Sequence, residues 1–183
     1  MSTIAIVGDG PAGLSAALLL AKNDHSAIVY GQDKTAMHSA QLHNYLGLRD
    51  ISGSDFQLVA REQAAAFGAE LRDEEVTGIE RRGDGFVVTT AAGTTEVDYL
   101  LLAAGKRASG LAKALGAECD GDRVVVDTEY RTTTDRLYAA GRLTRPTRSQ
   151  AIISAGAGAT AALDILAREA GKDVQDWDTP PRE

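Results

Sequence analysis

Ile4-Ala-Ile-Val-Gly-Asp-Gly-Pro-Ala-Gly-Leu-Ser-Ala-Ala-Leu18, near the start of the chain, reads as strand, glycine turn, helix. Ile4, Ile6 and Val7 form a short apolar β-run, and Leu14, Ala17, Leu18 and Ala21 then recur at helical intervals. Between them Gly8, Gly10 and Gly13 stand in G-x-G-x-x-G spacing around Pro11 and Ala12. In such a unit the first glycine permits the tight turn, and the second lets backbone approach a pyrophosphate. The third lets the helix pack hard on the sheet. Unpaired N–H groups and the positive end of the dipole at the helix start suit a phosphate. Asp33 follows twenty residues after Gly13, just past the apolar run Ala27–Tyr30. That is the distance at which a carboxylate accepts hydrogen bonds from an adenosine ribose. Gln32 beside it could share the role. Strand before, helix after and acid at the right distance lift the motif above a bare glycine pattern.

With 183 residues the chain has material for one sizeable core. We expect one α/β domain over 1–172, a parallel sheet with helices and a three-stranded antiparallel meander, and a loose polar tail over 173–183 containing Pro180-Pro181. Composition is that of a globular protein, 44% hydrophobic and 25% charged, and the net charge of -7 disfavours a nucleic-acid partner. The uninterrupted apolar runs fall short of the roughly 20 residues of a membrane span, so no membrane association is expected. The first strand lies where a signal peptide would, which points to a cytoplasmic protein. Cys119 is the single cysteine, so no internal disulfide can form.

Along the chain, Ala27–Tyr30 reads as the second strand and Gly31–Leu48 as a long loop of the kind that often carries function. Ser54 and Gln57 have capping-box spacing. They head a helix with Phe56, Val59, Ala60, Ala64 and Phe67 as its apolar positions, closed by Gly68. Runs 74–80, 86–90 and 94–97, separated by Gly-containing turns, form the meander. Tyr99–Ala103 is continuously apolar, as in a strand buried on both faces. A helical patch at 111–115, strands at 124–126 and 137–140, and an amphipathic helix over 150–170 complete the reading.

Several segments together resemble the thioredoxin reductase family of FAD-dependent pyridine nucleotide-disulfide oxidoreductases. They are Gly8-Asp-Gly-Pro-Ala-Gly13, Tyr30-Gly-Gln-Asp-Lys34, Leu42-His-Asn-Tyr-Leu-Gly47, Leu101-Leu-Ala-Ala-Gly105, Leu137-Tyr-Ala-Ala-Gly141 and Gln150-Ala-Ile-Ile-Ser-Ala-Gly. The resemblance implies a Rossmann-like FAD-binding domain. Adenosine would lie at the first glycine turn, against Gly31, Gln32, Asp33, Lys34 and the backbone of Val76. The isoalloxazine ring would lie near Asn44 and the start of the last helix, with Ala104, Gly105, Gly141, Arg142, Ser149, Gln150 and Ala151 along the way. Val76 could equally be only core. The resemblance also implies pairing of two FAD domains into a homodimer.

The departures bear on function. Only 35 residues separate Gly105 from Gly141, where the family inserts an NADPH domain on the order of 100 residues. No second G-x-G-x-x-G and no Cys-x-x-Cys occurs, so this chain alone is not expected to reduce disulfides. Arg142 stands where the family has Asp. It could pair with the pyrophosphate or point to solvent. Thr35-Ala-Met-His38 replaces the family's Gly-Gly-Gln loop and Leu46 its proline. His38 and His43 are candidate proton donors, although loop histidines are more often surface residues. Cys119, flanked by acids, is no nucleophile candidate. Arg142, Arg145 and Arg148 could receive an acidic carrier such as ferredoxin, or the cofactor phosphates. Two readings remain open: an FAD oxidoreductase fed by NAD(P)H, ferredoxin or a separate reductase, and a non-catalytic subunit or sensor that binds FAD or another ADP nucleotide.

Overall fold

A computed structural model describes residues 1–179; Pro180-Pro181 lies outside them. The chain runs β1 Thr3–Val7, α1 Pro11–Lys22, β2 Ser26–Tyr30, β3 Gln41–Leu42, β4 Ile51–Ser52, α2 Gly53–Ala66 and β5 Glu70–Arg72. It continues with β6 Val76–Arg82, β7 Gly85–Thr90, β8 Gly93–Val97, β9 Tyr99–Leu102, α3 Ser109–Ala114, β10 Cys119–Asp120, β11 Arg123–Val124, β12 Leu137–Ala139 and α4 Ala151–Ala170.

Five strands form one parallel sheet in the order β12-β9-β1-β2-β5. Its central strands are apolar on both sides because both faces are covered. Ile4, Ile6, Val29, Leu101 and Tyr138 face α1 and α4. Their neighbours Ala5, Val7, Ile28, Leu100, Leu102 and Leu137 face Phe86, Val88 and Val97 of the antiparallel meander β6-β7-β8, together with Ala108 and Ala112 beside α3. Alternation along each strand thus sorts one continuous apolar run into two cores. The expected α/β architecture, parallel sheet and meander are present.

Local boundaries differ from the sequence reading for identifiable reasons. Ser52, not Ser54, caps α2: its hydroxyl accepts the N–H of Asp55. Gln57 is not a capping residue but lies fully buried, and the buried positions of α2 are Gly53, Gln57 and Ala64. Val59 and Phe67, expected to face the core, are 44% and 48% exposed. The loop after β2 holds a 3-10 turn at Ala36–Ser39, capped by Thr35, and the two-residue strand β3. The strand expected at 124–126 is the second half of the small hairpin β10-β11. The edge strand β5 was not expected; it is three residues long and charged at both ends. The last helix starts one residue later, with Gln150 as its N-cap.

α4 meets the length and apolarity of a membrane-crossing helix, a feature that the search for uninterrupted apolar runs passed over. Here 44% of its most apolar window is buried in the fold, against α1. The contact depends on small residues. A Cβ at Gly158 would stand 1.9 Å from the Ala12 carbonyl oxygen, and one at Gly141 would stand 3.2 Å from the Ala12 Cβ. A polar clamp fixes the far end of the helix. Asp164 accepts the Arg131 guanidinium and, at 2.5 Å, the Tyr138 hydroxyl; Glu169 accepts the hydroxyls of Ser2 and of Tyr99, the latter at 2.8 Å. Burial, and then the Glu169 hydrogen bond, push the Tyr99 hydroxyl up to about 12. Burial alone would raise the Asp164 carboxyl, but its bonds from Arg131 and Tyr138 outweigh it and hold it below the usual range. In the tail, Lys22 pairs with Asp176 at 2.7 Å and Asp178 at 2.6 Å, and Val174 packs on the core, so this part of the supposedly loose segment is tied down.

Gly158→Ala should destabilise the fold by more than about 2 kcal/mol despite alanine's better helix propensity. Gly156→Ala, where a Cβ meets nothing within 4 Å, should stabilise by up to about 1 kcal/mol. Urea melts of the two variants check both signs. Because the Asp164 carboxyl is depressed on folding, its stabilisation is complete above its ordinary value of 3.8 and is lost as pH falls through the folded value. The stability gap between wild type and Asp164→Asn should therefore be present at pH 7 and shrink below about pH 4, as read by melts across that range.

Candidate functional site

The carboxyl ends of β1, β2, β9 and β12 open into four turns along one sheet edge, where open α/β sheets place their ligands. The first is the glycine turn. Gly8 has φ +113°, and a Cβ there would stand 2.6 Å from the backbone of Ala103 and Ala104, so the exit of β9 lies directly against it. At Gly13 a Cβ would stand 1.9 Å from the Gly8 carbonyl oxygen. The fold itself therefore demands both glycines. Gly10 is different. Its φ of -78° suits any residue, and a Cβ would meet only the Thr35 hydroxyl, at 3.4 Å. Gly10 is the N-cap of α1 with no side-chain cap, and Pro11 fills the first helical position. The amino end of α1 is thus bare backbone.

The second turn, Gly31–Lys34, leaves β2 beside it. A Cβ on Gly31 would stand 2.3 Å from the Asp9 carboxyl carbon, so this glycine makes room for Asp9. Asp9, only 5% exposed, accepts the Asp33 N–H at 2.9 Å and the Arg61 guanidinium at 2.5 Å. Arg61 reaches on to Asp73 at 2.9 Å. The buried Gln57 amide donates to the Asp9 carbonyl at 2.6 Å, and its Oε1 has no hydrogen-bond partner among the described residues. Asp33 is exposed, with φ +52°. Its carboxylate lies 3.1 Å from His38 Nε2, while His38 Nδ1 meets the Ser54 hydroxyl at 2.9 Å. Lys34 bonds Gln32 at 3.0 Å. The web around Asp9, Gln57 and Arg61 was missed in the sequence; a glutamine on the buried face of α2 was its one visible trace.

The third and fourth turns, Ala104–Gly105 and Gly141–Arg142, follow β9 and β12, with φ +65° at Gly105 and +69° at Gly141. The Ala12 Cβ packs under Gly141, which ties the glycine turn to the far end of the edge. Beyond them Gln150 caps α4, a 20-residue helix with neither a side-chain cap bond nor an acid in its first turn. Asn44 donates to the Gln150 side chain at 3.2 Å, so two positions 106 residues apart meet at the start of α4. Ser149 faces Ser154 at 3.4 Å, and Ala151 opens the helix. Arg142, Arg145 and Arg148 are exposed and enter no ion pair among the described residues.

Other candidates have different neighbours. Val76 opens the meander and packs on the second core. His43 makes a surface pair with Asp50, 3.2 Å apart and both more than half exposed. Cys119 points its thiol at the Ala117 carbonyl, 3.7 Å away, beside α3. Two clefts, of about 360 Å³ by Arg82 and Arg136 and about 270 Å³ by His25 and Glu169, lie elsewhere on the molecule.

Residues 47–159 match the sequence pattern of the pyridine nucleotide-disulphide oxidoreductase family. The chain belongs to that family. Among curated relatives it is similar to the bifunctional thioredoxin reductase/thioredoxin of Mycobacterium leprae, 33% identical over 134 residues, covering 64% of this chain and 29% of that protein. It is also similar to the ferredoxin–NADP reductase of Levilactobacillus brevis, 29% identical over 169 residues, covering 88% and 48%. The chain thus spans less than half of either relative. Among solved structures, a thioredoxin reductase from Gloeobacter violaceus superposes with TM-score 0.86 at 18% identity over 97% of this chain and 99% of its own. A ferredoxin-flavin thioredoxin reductase from Clostridium acetobutylicum gives 0.81 at 18% identity, over 93% and 98%. These likenesses establish the fold of this family member.

The glycines separate fold from ligand. Gly13→Ala should unfold the chain or cost it several kcal/mol. Gly10→Ala should shift stability by less than about 1 kcal/mol yet weaken binding of ADP or FAD at least about tenfold, about 1.4 kcal/mol. Thermal melts and titration calorimetry on the same samples check the contrast.

Proposed function

We propose that this family member is an FAD-binding oxidoreductase domain that receives electrons from an external donor, and that it is not a self-sufficient disulfide reductase. The observation that carries the reading is the continuity of the trough. A bare helix start at Gly10 and a second at Gln150 lie on one edge, joined through Ala12 and Gly141. That arrangement suits a two-part ligand with a phosphate-rich middle and a ring at one end.

The residues fit such a group. Gly10 leaves room that the fold does not use, and the unpaired Gln57 acceptor lies under the same turn. In this reading Gly8, Gly10, Pro11, Ala12 and Gly13 hold the pyrophosphate, and Gly31, Gln32, Asp33 and Lys34 the adenosine ribose. Ala104, Gly105 and Gly141 line the middle. Asn44, Ser149, Gln150 and Ala151 receive the ring. Bound flavin would supply reversible uptake of electron pairs. The chain's own part is electrostatic: the positive end of α4 favours the ring's reduced, anionic form. Exposed, and unpaired among the described residues, Arg142 is free to neutralise phosphate in bidentate fashion. Arg145 and Arg148 extend that positive patch beside the ring end of the trough. On a chain of net charge -7 such a patch suits an acidic electron carrier or a separate reductase. The names of relatives that use ferredoxin support this donor class. Association of two copies and a cytoplasmic setting belong to the same reading.

A second reading, nucleotide binding without turnover, is favoured by the exposed Arg142 in place of an acid. The visible spectrum of the purified chain decides between them. A yellow protein bleached both by dithionite and by a physiological donor is expected. Bleaching by dithionite alone, with no protein or nicotinamide donor effective, would favour the second reading. A colourless protein that takes up no FAD would end both in their flavin form. Arg142→Asp should weaken FAD binding about tenfold in a fluorescence-quenching titration; unchanged affinity would show that Arg142 points to solvent.

A further inference from the structure

The residue between the first two glycines of the turn is an acid, and it is almost completely buried. Asp9 stands one position before the bare start of α1, where a pyrophosphate would bring two negative charges. An uncompensated carboxylate there would oppose that ligand. The structure shows the compensation in place. The Arg61 guanidinium meets Asp9 at 2.5 Å, with side-chain exposures of 19% and 7%. Asp9 is also fixed from three other directions: Gly31 leaves the space for it, the Asp33 N–H binds its carboxylate, and the Gln57 amide binds its carbonyl. The carboxylate therefore cannot swing away when a ligand arrives; only its charge can be countered.

We propose that Arg61 is an electrostatic positioning residue of the nucleotide site: it neutralises the immobilised Asp9 so that the start of α1 can accept pyrophosphate. The inference rests on the proposed nucleotide site. It gives Arg61 no contact with the ligand. The second Arg61 nitrogen is spent on Asp73, which anchors the guanidinium between α2 and the end of β5. Two unit charges within about 7 Å at a half-screened protein site repel enough to change affinity by at least an order of magnitude.

The test is a double-variant cycle on the full chain, with ADP and FAD as titrants in calorimetry. Arg61→Met should weaken both ligands about tenfold or more. Arg61→Lys, which keeps the charge, should bind within about threefold of wild type. Asp9→Asn should bind as well as wild type or better. The decisive member is Asp9→Asn/Arg61→Met, which should recover to within about threefold of Asp9→Asn alone, because no buried charge is left to neutralise. A double variant as weak as Arg61→Met would overturn the inference, since Arg61 would then serve the ligand by direct contact or by holding the fold. Wild-type affinity in Arg61→Met would overturn it as well. Should Arg61→Met fail to fold, the comparison of Arg61→Lys with Asp9→Asn/Arg61→Lys still decides: a loss confined to the double variant contradicts the inference. A wild-type chain that binds neither ADP nor FAD would overturn the nucleotide reading itself, an outcome distinct from an unrestored double variant.

Discussion

The structure depends on how closely three stretches of backbone approach one another around α1. The Gly13 α-carbon is pressed on the Gly8 carbonyl, Gly8 is pressed on the exit of β9, and the Ala12 carbonyl is pressed on Gly158 of α4. Each contact is too close for a Cβ on the glycine side. Together they set the depth at which α1 lies on the sheet, and with it the position of α4. Interiors packed at crystal density do not absorb even one added methyl without movement. The carboxyl edge of the sheet therefore inherits its shape from contacts below it, and the turns above are free to serve a ligand.

That division explains which parts could be read from the sequence. The first βα unit was legible because strand period, helix period and glycine spacing agree over fifteen residues, and the fold itself requires two of the three glycines, Gly8 and Gly13. Tyr99–Leu102 was legible as a doubly buried strand because its apolar run is unbroken. The meeting of Asn44 with Gln150 was legible only through motif resemblance, since no local pattern reports a contact across 106 residues. Helix α2 was misread on its buried side. Ala64 is buried and Ala60 packs on the core as expected, yet Val59 and Phe67 are exposed and the helix turns Gly53 and Gln57 inward, Gln57 bonding the Asp9 carbonyl.

Charge follows the same logic. The chain is acidic overall, yet arginine stands at two places along this edge: Arg61 under the glycine turn, Arg142 beside Gly141. The two are differently used. Arg61 is spent on two carboxylates and held at the base of the site, while Arg142 is exposed and unpaired among the described residues. A buried ion pair adds little net stability once desolvation is counted. Here it leaves a buried carboxylate fixed beside the uncapped start of α1 without net charge.

The acid itself then needs a reason. Asp9 binds the Asp33 N–H, and Asp33 holds the backbone at φ +52°, a conformation that non-glycine residues seldom adopt. The carboxylate of Asp9 is thus the strut that keeps the Gly31–Lys34 turn folded over the end of β2, and Gly31 is a glycine because that strut passes through the space of its side chain. A neutral asparagine could hold the same N–H, but more weakly, since hydrogen bonds to an ionised acceptor are about twice as strong. The turn gains rigidity from the charge, and Arg61 pairs with that charge beside the start of α1. In the proposed nucleotide site, an asparagine here would keep the ribose turn folded through that weaker bond while relieving the charge at the pyrophosphate turn.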